Sequence, residues 1–154
     1  MEPRGDTGAL RTLIDREHLA VTVYKRQIGA FRKWPQIDRW LEEGAANEEW
    51  HRDGITARLR EFGGRPSVLR FFFALAGGVI GLGSRVTGKR MLLKIDIGVE
   101  RLAVKHYTTF LGRYSWDDET RVMLEKMRHD EEIHIQHWEQ GLDMLRGMNR
   151  TAGG

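Results

Sequence analysis

Glutamate and histidine recur in this chain at a spacing that could bind metal. The pattern Glu-x-x-His occurs twice, at positions 48–51 and 131–134. A lone glutamate lies 31 positions before each pair, and the whole arrangement repeats after 83 positions. Two lone glutamates and two Glu-x-x-His pairs form the ligand set with which helical bundles hold two metal ions. The six candidate ligands are Glu17, Glu48, His51, Glu100, Glu131 and His134.

The chemistry of this set favours iron. Four carboxylates at one level of a bundle would repel one another unless they were protonated or bound to cations. Two divalent ions would balance their charge, with one imidazole for each metal. Cysteine is absent, so thiolate ligands are excluded, and mixed oxygen and nitrogen donors suit iron or manganese. We expect two iron ions, with manganese as an alternative; the other hypothesis is a bundle that has lost its metal site.

Helical periodicity dominates the chain, and strand alternation is hard to find. Apolar residues recur in steps of three and four, and every candidate ligand falls within one of these stripes. The residue before a proline disfavours helix, so Trp34-Pro35 predicts the end of the first helix. The pattern predicts helices near 8–33, 36–62, 66–85, 89–113 and 117–147, with a disordered tail at 148–154.

The two halves of the chain match beyond the candidate ligands. At the same offset of 83 positions, Leu10 corresponds to Leu93 and Tyr24 to Tyr107. This repeat indicates a duplicated helical hairpin. We therefore expect an all-α fold, in which one domain over 1–154 forms a four-helix bundle with pseudo-two-fold symmetry and a crossover helix near 66–85.

The composition limits which partners and which cellular compartment we expect. A chain of 154 residues with 31% charged and 40% hydrophobic residues fits one soluble helical domain. Its excess of three positive charges is too small to predict a nucleic-acid partner. The first ten residues lack the apolar run of a secretory signal, so we expect a cytoplasmic protein.

The predicted crossover is unusually apolar. Phe71 to Ser84 is a run of 14 uncharged residues, shorter than the roughly 20 needed to span a bilayer. Basic residues flank it, which is typical of docking on an anionic membrane surface; they are Arg65, Arg70, Arg85, Lys89 and Arg90. The alternative is a hydrophobic helix packed on the bundle or against a partner subunit.

Three further residues are candidates for catalysis. Tyr24 and Tyr107 each lie seven positions after a lone glutamate, two helical turns from the expected metals. They would relay electrons or line a substrate tunnel, or else belong to the core with satisfied hydroxyls. His106 would support a ligand or face solvent.

At these residues the chain resembles the ferritin-like di-iron carboxylate superfamily, and within it the demethoxyubiquinone hydroxylase family. The resemblance covers roughly 11–143. Besides the six candidate ligands, it includes the runs Arg65-Pro66-Ser67-Val68-Leu69, Gly88-Lys89, His106-Tyr107 and Gly141-Leu142-Asp143. The run before the first ligand differs, since the family's Asp-His-Ala-Gly is here Leu13-Ile14-Asp15-Arg16.

The resemblance implies a di-iron monooxygenase that uses O2 to hydroxylate a membrane-embedded quinone in ubiquinone biosynthesis. It also implies a peripheral location on the inner membrane, an external electron donor and a homodimer or small homo-oligomer. The run from Asp130 to Trp138 is more similar to bacterioferritin or rubrerythrin. Two alternatives therefore stay open, a rubrerythrin-like peroxide reductase and a ferritin-like protein for iron oxidation and storage.

Overall fold

Five α-helices account for the regular structure of the described part of the chain. The computed structural model describes the backbone of residues 6–151 and the side chains of residues 6–147. The helices are α1 (Thr7–Gln27), α2 (Pro35–Glu61), α3 (Leu69–Val86), α4 (Lys89–Arg113) and α5 (Asp118–Thr151). The predicted all-α class is confirmed.

Helices α1, α2, α4 and α5 form a four-helix bundle. Hydrogen bonds join Gln27 to Asp96 and Glu17 to Tyr107, which makes α1 and α4 antiparallel. Residues of α2 likewise contact α5 in opposite order along the chain. Helix α3 carries the chain from the end of α2 back to the end of the bundle where α4 begins, as the predicted crossover requires.

The apolar stripes of the four bundle helices face inward and form two hydrophobic clusters. One cluster contains Phe31, Leu41 and Trp138, and the other contains Leu10 and Leu124, all fully buried. Along each of the four helices, the candidate ligands lie between residues of the two clusters. The six candidate ligands therefore share one level of the bundle, between two apolar clusters.

Helix α1 ends earlier than the sequence predicted. It stops at Gln27, and 28–33 form turns. Gly29 adopts a φ of 83°, a left-handed conformation that glycine favours after a helix. The carboxylate of Asp38 accepts hydrogen bonds from the backbone N–H groups of Gly29 (3.0 Å) and Phe31 (3.2 Å), which fixes this turn. The Trp34-Pro35 step instead begins α2, with proline in its first turn.

Two other boundaries differ from the prediction. Helix α3 begins at Leu69, because residues 64–67, after the positive φ of Gly63 (73°), form no regular structure. Helix α5 continues to Thr151, past the predicted end at 147. Of the tail predicted to be disordered, 152–154 lie outside the described residues.

Helix α3 packs closely on α1 through small residues. A Cβ added at Gly77 would lie 2.3 Å from the carbonyl oxygen of Leu19, and one at Gly81 would lie 2.6 Å from that of Val23. Only glycine permits this approach. With glycines on the inner face, the large apolar side chains of α3 point outward: Phe71, Phe72, Leu75, Val79 and Leu82 are 61–68% exposed. By length and composition α3 is the one described helix apolar enough to cross a membrane.

Candidate metal centre

The six predicted ligands converge at the buried polar level of the bundle. Their donor atoms form two groups within which all atoms lie within 4.8 Å of one another. Glu17 and His51 belong to one group only, Glu100 and His134 belong to the other, and Glu48 and Glu131 belong to both. None of the six residues is more than 6% exposed. This arrangement offers two adjacent metal positions with two carboxylates between them.

The imidazoles point their Nδ1 atoms into the centre. His51 Nδ1 lies 3.1 Å from Glu131 Oε1 and 3.8 Å from Glu17 Oε2. His134 Nδ1 lies 3.1 Å from Glu48 Oε1 and 3.4 Å from Glu100 Oε1. The spacing of three residues within each Glu-x-x-His pair places both side chains on one face of the helix.

Burial and mutual repulsion perturb the acids of the centre. Burial, with the neighbouring Glu48 charge, raises the pKa of Glu17 to about 8. Burial and the Glu131 charge raise the pKa of Glu100 well above its usual range. Burial opposes ionisation of Glu48 and Glu131 as well. Contacts with Glu17 and the two histidines nevertheless hold the pKa of Glu48 below normal, and contacts with His134 and His51 do the same for Glu131.

The histidines respond to the same charges in the opposite sense. Burial alone would lower the pKa of His51 and His134, but the close contacts with the surrounding carboxylates raise both. Positive charge is therefore strongly favoured at this level of the bundle. Metal ions can supply that charge, and they displace protons from their ligands when they bind.

Several candidate metal-ligand atoms of the centre lack a hydrogen-bond partner. These buried atoms are Glu48 Oε1, His51 Nδ1, Glu100 Oε1 and Glu131 Oε1. Leaving a buried polar group unsatisfied costs about 1–3 kcal/mol. Divalent ions would satisfy all four, and a donor set of carboxylate oxygen and imidazole nitrogen fits iron or manganese. The residues present therefore fit a dinuclear metal centre.

Asp130 supports one imidazole from outside the centre. Its Oδ2 lies 3.2 Å from His51 Nε2 and accepts a hydrogen bond of 2.7 Å from Lys126 Nζ. Burial opposes its ionisation, but His51 and Lys126 lower the pKa of Asp130 overall. A carboxylate on the outer nitrogen of a metal-binding histidine fixes the ring and increases its basicity. Sequence reasoning missed this residue, although it directly precedes Glu131; its counterpart 83 positions earlier is Asn47.

The two candidate tyrosines lie at the centre, each with a satisfied hydroxyl. The fully buried Tyr107 donates a hydrogen bond of 2.6 Å to Glu17 Oε1. Tyr24 accepts a hydrogen bond of 3.2 Å from Trp138 Nε1, and its ring centroid lies 6.4 Å from that of His134. Tyr107 therefore orients a candidate ligand directly, whereas Tyr24 packs against one.

His106 lies apart from the six candidate ligands. It is half-buried, its ring lies 6.0 Å from that of Phe110, and its Nδ1 has no partner among the described residues. Burial and the charges of Arg16 and Lys105 lower the pKa of His106. The structure gives it no hydrogen bond to a ligand.

A second buried acid was not anticipated from the sequence. Gln27 Nε2 donates hydrogen bonds to Asp96 Oδ1 (2.8 Å) and to Ser84 Oγ (2.9 Å), linking α1, α4 and α3. Asp96 is fully buried, and burial raises its pKa to about 8. Its position four residues before Glu100 on the apolar stripe was the available signal.

An apolar cavity leads to the centre. Its volume is about 170 Å³, and Glu17, Glu48 and Glu100 lie at its buried end. The other lining residues come from α1, α3 and α4: Arg16, Leu19, Ala20, Ile80, Val99, Leu102 and Ala103. A second cavity, of about 190 Å³, reaches His134 between α2 and α5 and is also lined by Asn47 and His137. Both metal positions are therefore accessible to small molecules.

Comparison with known proteins identifies the family. Residues 10–144 match the family described as ubiquinone biosynthesis protein COQ7. The 3-demethoxyubiquinol 3-hydroxylase of Pseudomonas aeruginosa is 32% identical over 135 residues, which cover 86% of this chain and 62% of that protein. The corresponding protein of Cupriavidus metallidurans is 31% identical, with coverages of 86% and 64%. The chain thus spans less than two-thirds of the length of these relatives.

A solved structure supports the fold. The bacterioferritin-related protein from Bacteroides fragilis, described as a dodecameric thioferritin, matches with a TM-score of 0.60 at 18% identity. The match covers 96% of this chain and 92% of that chain. Because the family match covers most of its length, this chain belongs to the COQ7 family of ubiquinone biosynthesis proteins.

Proposed function

We propose that this chain is a di-iron monooxygenase that uses O2 to hydroxylate a quinone or related aromatic ring. The observation that carries the proposal is the convergence of six ligand residues, three of which line an apolar cavity. Its relatives named 3-demethoxyubiquinol 3-hydroxylase support the reaction type. When bound, the two iron ions would supply the oxygen chemistry.

Different ligand residues would bind each of the two metal ions. Glu17 and His51 would bind one ion, Glu100 and His134 the other, and Glu48 and Glu131 would bridge the two. The hydroxyl of Tyr107 holds Glu17 in place through its 2.6 Å hydrogen bond. The two hydrophobic clusters on either side limit access of water to the two cavities.

The cavity fits one aromatic ring. An apolar cavity of about 150 Å³ can hold benzene, so about 170 Å³ accommodates a ring with small substituents. Leu19, Ala20 and Val99 supply the apolar contacts that such a ring requires. A ring held there would lie beside the carboxylates of the centre.

Helix α3 would deliver an apolar substrate from a membrane. Ile80 lines the cavity, while its neighbours on α3 form the exposed apolar face defined by Phe71, Phe72, Leu75, Val79 and Leu82. Burial of apolar surface contributes roughly 25 cal/mol per Å², so docking this face on lipid would be favourable. We propose a peripheral position on the cytoplasmic side of the inner membrane, with an external electron donor and a small homo-oligomeric state.

The flanking basic residues contribute unequally to this docking. Arg85 donates to the carbonyl oxygens of Arg26 (2.9 Å) and Ile28 (3.0 Å), so it also caps the end of α1. Lys89 lies 5.4 Å from the ring of Trp34. Arg65 and Arg90 are exposed and face solvent. An exposed basic residue near anionic lipid contributes about 1 kcal/mol.

Isotope labelling tests the proposed reaction. The iron-loaded full chain, a reductant and a short-tailed demethoxyubiquinol should give a product containing one oxygen-18 atom from labelled O2. Glu131→Ala should abolish product because it removes a shared ligand, while Glu49→Ala, which replaces a neighbour paired with Lys25 outside the centre, should not. Peroxide reduction or iron mineral without labelled product would contradict the monooxygenase.

Flotation with anionic liposomes tests the membrane contact. Replacing Phe72 and Val79 together by Ser should weaken binding while iron content stays unchanged, because both side chains are 66% exposed. Val122→Ser, at a side chain 65% exposed on α5, is the matched control and should bind like wild type. Loss of iron and unfolding in the double variant would show that the face belongs to the core.

A further inference from the structure

The second cavity, of about 190 Å³, connects the surface between α2 and α5 with the metal centre. Glu43 lines its solvent-exposed end, and the candidate ligand His134 lines its buried end. No lysine or arginine is found among the described residues that line this cavity. Besides His134, four lining residues carry oxygen or nitrogen atoms that can bind a divalent cation: Glu43, Asn47, Asp130 and His137. The cavity is therefore lined with the kinds of group that bind metal ions.

The opening of this cavity carries a negative charge. The exposed carboxylate of Glu43 forms no salt bridge with any described residue. Asp130 is paired with Lys126 at 2.7 Å, so its charge is largely balanced. Burial and the charge of His134 lower the pKa of His137, so its imidazole is neutral at about pH 7 and adds no positive charge. Glu43 is therefore the residue that would attract a cation to the opening.

The apolar cavity is less suited to the passage of a cation, although three glutamates lie at its buried end. Its walls include Leu19, Ala20 and Val99, and the half-buried Arg16 adds a positive charge. An ion that enters among apolar side chains loses water ligands without replacement, which is unfavourable. The guanidinium of Arg16 would also repel it. The two cavities that reach the centre therefore favour different molecules.

We infer that the second cavity is the route by which hydrated divalent metal ions reach the centre, with Glu43 attracting the ion to the opening. The inference rests on the metal centre of the proposed function. Asn47 and His137 can replace water ligands of the ion along the cavity, so the ion keeps ligands until it reaches His134. Metal ions and the aromatic ring then enter by separate cavities, and a bound ring leaves the uptake of metal unhindered.

Stopped-flow spectroscopy of cobalt(II) binding to the metal-free full chain tests the inference. The absorbance of bound cobalt reports the rate of uptake without any enzymatic turnover. Glu43→Gln should slow uptake about threefold or more at low salt, because it removes one charge from the opening. Added salt should slow the wild type more than this variant. Ile133→Phe, which narrows the cavity, should also slow uptake, while both variants still bind two ions at saturation.

Two variants are the matched controls. Glu42→Gln removes the same charge at the exposed neighbour of Glu43, which does not line the cavity. Ala103→Phe narrows the apolar cavity instead. Both should take up cobalt at the wild-type rate. Equal slowing in Glu42→Gln would overturn the inference, because it would reflect net charge alone. Slowing in Ala103→Phe but not in Ile133→Phe would overturn it as well, because the ions would then enter through the apolar cavity.

A wild-type rate of uptake in Glu43→Gln or Ile133→Phe would also overturn the inference. If these variants still bound two ions, that result would leave the proposed monooxygenase standing. If both were slow as expected but the iron-loaded wild type formed no labelled product, the route would stand and the proposed monooxygenase would fall. A wild type that bound no metal would overturn both. The two failures are therefore distinguishable.

Discussion

Two sites with buried acids, Asp96 and the metal centre, show that burial can affect the pKa of a carboxyl group in different ways. Asp96 stands alone with neutral partners: Gln27 donates to its Oδ1, and its Oδ2 has no partner. Burial raises the pKa of Asp96 to about 8. In the metal centre, four glutamates share one buried level with two histidines. Burial raises the pKa of Glu17 and Glu100 there as well, but Glu48 and Glu131 keep pKa values below normal.

The difference shows what each site requires. A single buried acid avoids the cost of its charge by holding a proton, and a protonated Asp96 can donate to the unpartnered Oε1 of Gln27. In the centre, protons on Glu17 and Glu100 would still leave the charges of Glu48 and Glu131, whose pKa values lie below normal. Asp96 therefore links helices as a neutral group, whereas the residues of the centre fit cations.

Metal loading should produce the largest contrast between the two sites. A metal at about 1,000 times its dissociation constant stabilises the native state by about 4 kcal/mol, which corresponds to a rise of about 10 °C in Tm. Scanning calorimetry of loaded and chelated protein measures this rise. Asp96→Asn should still show the rise in Tm on metal loading. Glu131→Ala should not show it, because Glu131 belongs to both groups of candidate ligands. Equal Tm values for loaded and chelated wild type would contradict the comparison.

The two halves of the centre should also differ in affinity. His51 has Asp130 on its outer nitrogen, while the corresponding position in the other half is Asn47. Asp130→Asn should lower the binding affinity for one of the two ions by about 10–100-fold, the usual effect of losing a carboxylate that supports a metal-binding histidine. Competition with a metal chelator measures each site. Asp53→Asn, at an exposed residue of α2, should leave both affinities unchanged.

The stability of the Asp96 region should depend on pH. The folded-state pKa of about 8 lies above the ordinary value of 3.8, so the native state binds this proton more tightly than the unfolded state. Its contribution to stability is full below about pH 4 and is lost as pH rises through about 8. Asp96→Asn should therefore raise Tm by several degrees at about pH 9 and change it little at about pH 4. A constant difference across this range would show that Asp96 is ionised throughout.

The smallest expected effect concerns the hydroxyl of Tyr107. Tyr107→Phe removes the 2.6 Å hydrogen bond to Glu17 and nothing else of comparable size. The loss should lower the free energy of unfolding by about 1 kcal/mol. It should also lower the binding affinity for the ion at Glu17 and His51 a few-fold. Tyr114→Phe, at the residue that follows the end of α4, is the control. Unchanged affinity in Tyr107→Phe would show that packing alone holds Glu17.

The convergence of the six residues could be predicted from the sequence because helical periodicity and ligand chemistry agree at the same positions. Glu17 lies on a stripe with Leu10, Ile14 and Tyr24, and all four are buried. The repeat of 83 positions then predicted which helices correspond. Such information is local or repeated, so a single sequence contains it.

Long-range polar contacts could not be predicted in this way. Gln27 and Asp96 are 69 positions apart, and His51 and Asp130 are 79 apart. Their pairing depends on how the helices are rotated within the bundle, which periodicity does not determine. The end of α1 was wrong for a similar reason, because the turn at Gly29 depends on a carboxylate from the next helix, Asp38.

Iron content after anaerobic reloading tests the central claim most directly. We expect two ferrous ions per wild-type chain by elemental analysis, about 3.5–4 Å apart by X-ray absorption. Glu48→Ala and Glu131→Ala should hold fewer than one ion, because each removes a residue shared by both groups, while Glu49→Ala should hold two. A wild type that retains no iron, or a Glu131→Ala variant that retains two ions, would contradict the dinuclear centre.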